Sequence, residues 1–147
     1  MDPLSFAASI ITVVATVATV ARSLDELRDN LQYGPDVLSS LVNEVSDLRI
    51  VLEACDSAVQ KLYSDSQQKS PLTPLADAAQ VLNRTEIHLK ELGSLVTWCL
   101  HGAPESHGIF KSARLRWIKA RNKAEMIQQQ LRDSKQHLVM LMESQSV

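Results

Sequence analysis

Between Phe6 and Leu31 the residues Phe6, Ile10, Val13, Val17, Val20, Leu24, Leu27 and Leu31 recur at alternating steps of four and three. That spacing puts all eight on one stripe of an α-helix, whereas a strand would need an apolar residue at every second position. The rhythm returns three times. A second run holds Leu38, Leu41, Val45, Leu48, Leu52, Cys55, Val59 and Leu62; a third holds Leu75, Ala78, Leu82, Thr85, Leu89, Leu92, Val96 and Cys99. The fourth holds Phe110, Ala113, Trp117, Ala120, Ala124, Ile127, Leu131, Ser134, Leu138 and Leu141. Breakers separate them: Tyr33-Gly34-Pro35, the polar stretch SDSQQKSPLT, and HGAPESHG with two glycines and a proline. Thr73 and Pro74 suit the N-cap and first position of a helix. The expected helices are 4–33, 36–63, 74–100 and 109–143. Steps alternating between three and four belong to left-handed bundles crossing near ~20°, so the chain predicts an all-α, up-down four-helix bundle in one domain, 1–147.

Composition agrees with helices and narrows the chemistry. The 147 residues are 45% hydrophobic, 22% charged and 4% aromatic, with four glycines, a balance that suits one helical core and not a turn-rich sandwich. A net charge of −2 gives no overall field for nucleic acid, which is not expected as a partner. Cys55 and Cys99 have no zinc-site spacing and fall on the apolar stripes, so they read as buried reduced thiols in a reducing, cytoplasmic compartment. Asn83-Arg84-Thr85 is formally a glycosylation sequon, but it falls inside the third helix. His88, His101, His107 and His137 are dispersed, and there is no phosphate loop, nucleophile elbow or HExxH. The expectation is a non-enzymatic protein with no catalytic residues, cofactor or metal.

The first segment carries more apolar surface than one stripe requires. From Pro3 to Ala21 it has no charged residue. At about 1.5 Å per residue this stretch approaches the width of a bilayer core. It is a poor signal peptide, since Asp2 precedes it and the first basic residue, Arg22, follows it. The main stripe runs through Arg22 to Leu31 in unbroken register, which favours a helix packed on a core over a free-standing anchor. Beside that stripe lie Leu4, Ala8, Ile11, Val14, Ala15 and Ala18, the candidate membrane or oligomer contacts. A third stripe, Ser5, Ser9, Thr12, Thr16, Thr19 and Ser23, carries hydroxyls that can bond back to their own helix and so tolerate lipid, water or a neighbouring helix.

A second candidate surface lies at the start of the fourth helix. Lys111, Arg114, Arg116, Lys119, Arg121 and Lys123 precede any acid there. Cations at a helix N-terminus oppose its dipole, and the candidate role is contact with an anionic surface such as lipid headgroups. Asp25, Glu26, Asp29 and Asp36 are the alternative, intramolecular partners.

The runs MDPLSFAASIITVVATVATVARSL, VLSSLVNEVSDLRIVLEAC and LRWIKARNKAEMIQQQLRDSKQHLVMLM together give a chain that resembles the N-terminal domains of fungal STAND (NLR-like) proteins, in the HeLo-like group. The resemblance extends over essentially the whole chain. It implies a helical signalling domain placed before a nucleotide-binding NTPase domain and a repeat sensor, which forms a homo-oligomer and targets the plasma membrane through its N-terminal helix to trigger cell death. Residues 4–21 would be the membrane-directed segment; some lytic members have glycines there, and here none precedes Gly34. The expectation of another class is a protein-interaction or dimerisation module with helix 1 buried and no membrane activity.

Overall fold

The computed structural model describes residues 3–31, 36–65, 72–102 and 112–145. Each described segment is a long helix: α1 Pro3–Asn30, α2 Asp36–Asp65, α3 Leu72–His101 and α4 Ala113–Gln145. The expected all-α four-helix bundle is the observed architecture. The ends differ by a few residues for local reasons. α1 finishes at Asn30, where the Leu31 amide divides its bond between Leu27 O at 3.1 Å and Arg28 O at 3.3 Å, the tightening common in a last turn. α4 starts later than the expected 109, at Ala113. There Ser112 is the N-cap, its Oγ accepting from the Leu115 amide at 3.2 Å.

The helices pack in the cyclic order α1, α2, α4, α3, so α1 lies diagonal to α4 and α2 diagonal to α3. Successive helices run up and down, and α2 and α3, consecutive in the chain, stand at opposite corners. This makes α2 and α4 parallel neighbours, as their side-chain partners show: Ser40 meets Gln128, and Glu44, one turn on, meets Arg132.

The core is built from the four stripes. All eight positions of the first are buried, with Leu24 and Leu27 at 0% exposure. Leu38 through Cys55 on α2, Ala78 through Cys99 on α3 and Trp117 through Leu138 on α4 complete it, while Val59, Ala113 and Leu141 are half-buried at its ends. Each fully buried Leu or Val is worth about 1.5–3 kcal/mol relative to exposure. Thr85 is as deep as any leucine, and its hydroxyl donates to Val81 O at 2.7 Å, which removes the cost of burying it. Leu62, Leu75 and Phe110 lie outside the residues whose side chains are described.

The outward face of α1 and the ends of α4

α1 packs mainly on two neighbours in the ring, α2 and α3, and its far side is left to solvent. Ala8, Ile11, Thr12, Ala15 and Thr19 are exposed there, Ile11 at 65%. Val14 and Ala18 are half-buried at the edge of this strip. Of the sequence candidates, Ala8, Ile11 and Ala15 thus face outward, while Leu4 lies outside the described side chains. Within this one helix the stripe from Phe6 to Leu31 is core and the side opposite is uncovered.

The hydroxyls on this face are already occupied. Ser9 donates to Ser5 O at 3.0 Å, Thr12 to Ala8 O at 3.0 Å, Thr16 to Thr12 O at 3.1 Å and Thr19 to Ala15 O at 3.1 Å. A hydroxyl whose proton is spent inside its own helix loses little on leaving water. The face is therefore more apolar in effect than its Ser and Thr content suggests. Ser5–Asn30 is long and apolar enough to cross a membrane by length and composition, and 28% of its apolar window is buried inside the bundle.

Toward α3 this face drops into a shallow groove lined by Thr16, Thr19, Ser23, Gly93, Ser94 and Thr97 among others. Gly93 faces α1 here, and a Cβ there would sit 3.4 Å from Val20 Cγ2, at ordinary van der Waals contact.

The basic start of α4 divides. Arg114, Lys119, Arg121 and Lys123 are exposed. Arg121 makes a marginal 4.0 Å pair with Glu125. Lys111 lies outside the described residues. Arg116 corrects the expectation for an anionic-surface contact, because it is 6% exposed and turned inward. Its Nε donates to Cys99 O at 2.9 Å and its second guanidinium nitrogen to Leu100 O at 3.3 Å, carbonyls at the end of α3 that lack helical partners. A cation here complements the negative end of the α3 dipole. Gly102, in the left-handed region at φ 71°, closes the same helix end through its amide to Trp98 O at 2.7 Å. The spacing of basic residues could not separate this cap from its exposed neighbours, since the distinction depends on where α3 stops.

Of the acids proposed as intramolecular partners, the three on α1, Asp25, Glu26 and Asp29, lie away from these cations. α1 sits across the diagonal from α4, and Asp25 pairs with Arg28 of its own helix at 2.9 Å. The apolar face of α1 and the cations of α4 therefore occupy opposite corners.

Sequence reasoning missed a polar contact between α2 and α4. Glu44, 6% exposed, accepts from Arg132 Nε at 2.9 Å and from Lys135 Nζ at 2.5 Å; Asp47 reaches Lys135 at 3.9 Å; Gln128 donates to Ser40 Oγ at 2.6 Å. Glu44 sits beside Val45 on the core stripe, and its own position three residues after Leu41 was the available signal. Among the described residues no group of three or more His, Cys, Asp and Glu stands where it would hold a metal ion. Burial pushes the Cys55 thiol up to about 11, and the Cys99 thiol to about 11 as well, against the opposing pull of Arg116. No protein family, curated protein or solved structure matches the chain.

Proposed function

We propose that this chain is a non-enzymatic helical signalling domain that self-associates and targets membranes through its N-terminal helix. The observation that carries this reading is the outward side of α1: exposed Ala8, Ile11 and Ala15 and internally bonded Thr12, Thr16 and Thr19, with no charge before Arg22. A solvent-facing helix side normally carries charge. Resemblance to HeLo-like domains of fungal NLR-like proteins supports the same reading, with cell death as the output, NTPase and repeat domains of the same chain as partners, and recruitment from the cytoplasm to the plasma membrane. Arg114, Lys119, Arg121 and Lys123 supply a separate contact for anionic surfaces on the opposite corner. A second reading, a protein-interaction or dimerisation module without membrane activity, draws support from the burial of the whole α1 core stripe.

Cosedimentation with neutral and anionic liposomes separates the two. Ile11→Glu is the informative variant because an exposed side chain can be charged without opening the core. Wild type pellets with anionic vesicles and Ile11→Glu stays in the supernatant, with unchanged circular dichroism. If the folded variant pellets like wild type, the membrane role of α1 is wrong.

A further inference from the structure

The four sides of the ring are not held alike. Between α1 and α2, and between α1 and α3, the stripes meet as apolar side chains, with Val20 closing on Gly93. Between α2 and α4 the contact is polar over two turns. Ser40 with Gln128, then Glu44 with Arg132 and Lys135, then Asp47 with Lys135 follow each other up the parallel pair. Glu44 and Gln128 are buried at 6% and 8%, so these groups stand where the two α1 interfaces place aliphatic carbon. Farther along the same pair the packing opens into a groove lined by Ile50, Val51, Val139 and Met140, with Ile50 64% and Met140 66% exposed. α4 also brings small or polar groups to its core stripe at Ala120, Ala124 and Ser134.

We infer that the α2–α4 side is a built-in seam along which the bundle opens before it unfolds, latched by Glu44 on Arg132 and Lys135. A buried ion pair recovers little net free energy over its desolvation, while leaving one partner alone is costly. The latch therefore fixes the register of two parallel helices without the strength of an apolar contact. Water and salt ions compete for it directly, whereas they do not compete for Val20 against Gly93. Opening at this seam swings the α1–α2 pair about the α1–α3 contact and uncovers the core stripe of α2. Sub-global openings of this kind follow the side with the weakest buried contact.

Two native thiols report on it. Cys55 lies on the α2 stripe one turn beyond Val51, and Cys99 lies on α3 beneath the Arg116 cap. Both are buried, and both are held as neutral thiols well above the usual range, so alkylation requires an opening that uncovers them. The experiment follows alkylation of each thiol by N-ethylmaleimide in the whole chain, under native conditions, by mass spectrometry of the two cysteine peptides. Cys55 reacts faster than Cys99 in wild type. Glu44→Gln speeds Cys55 by about tenfold or more and leaves Cys99 unchanged, and raising NaCl speeds Cys55 in wild type but not in Glu44→Gln. A second variant, Glu44→Met with Arg132→Met and Lys135→Met, replaces the latch by apolar contact and slows Cys55. Equal rates at the two cysteines, moving together in every variant and at every salt concentration, would mean that the bundle opens only by global unfolding and would overturn the seam. The readout contains no lipid, so it stands or falls independently of the membrane reading.

Discussion

Arg116 shows how one residue in a run of like charges can have a different job from the rest. Its guanidinium fork spans two adjacent carbonyls at the end of α3, and the site is closed to water. Hydrogen bonds from charged donors are worth about 1.5–3 kcal/mol, and their loss leaves buried acceptors unsatisfied. Arg116→Met should therefore lower unfolding free energy by about 1.5–3 kcal/mol in urea melts. Arg114→Met, on an exposed neighbour, should change it by less than about 0.5 kcal/mol. Arg116→Lys should not recover the loss, since a single ammonium does not reproduce the planar fork. If Arg114→Met and Arg116→Met cost the same, the cap contributes nothing to stability.

At the scale of helices, the two described glycines make opposite demands. Gly93 lies inside α3 with ordinary helical backbone, and the nearest obstacle to a Cβ is the side-chain tip of Val20 at 3.4 Å, an ordinary contact distance. Gly93→Ala should stabilise by about 0.4–1 kcal/mol through reduced freedom of the unfolded chain. Gly102 has φ 71° and Arg116 nitrogen 3.3 Å from a Cβ position, so Gly102→Ala should destabilise by about 1–2 kcal/mol. Thermal melts of the two single variants check both signs. The helices themselves were legible because a stripe such as Phe6 to Leu31 is a local property: its register survives whatever packs against it. The order of helices around the ring was not legible, because stripes say which side is buried and not which helix buries it. The same limit explains the candidate surfaces. The outward position of Ile11 and Ala15 was legible because both lie off the stripe. Arg116 and Glu44 were not, since each takes its role from a different helix, at α3's end and along α4 respectively.

At the scale of the molecule, charge is divided between the two halves that the ring sets side by side. Residues 1–65, which hold α1 and α2, carry ten acids and four lysines or arginines; residues 66–147, which hold α3 and α4, carry seven and eleven. The net charges are −6 and +4, which together give the −2 of the whole chain. Those halves meet through two contacts of different kind, apolar between α1 and α3 and ionic between α2 and α4. Neither half can bury its stripes alone, because the buried residues of all four helices form one cluster, with α1 packed on α3 and α2 on α4 as well as on each other. Residues 1–65 and 66–147, produced as separate fragments, should therefore be poorly helical alone and recover helix on mixing at 1:1. Attraction between opposite net charges is screened over about 10 Å at 0.1 M salt, so affinity should fall by about tenfold as NaCl rises, with Glu44→Gln flattening the dependence. Titration by circular dichroism at several salt concentrations measures both slopes. Affinity that does not respond to salt would assign the association of the halves to the α1–α3 contact alone, and leave their charge division without a role in folding.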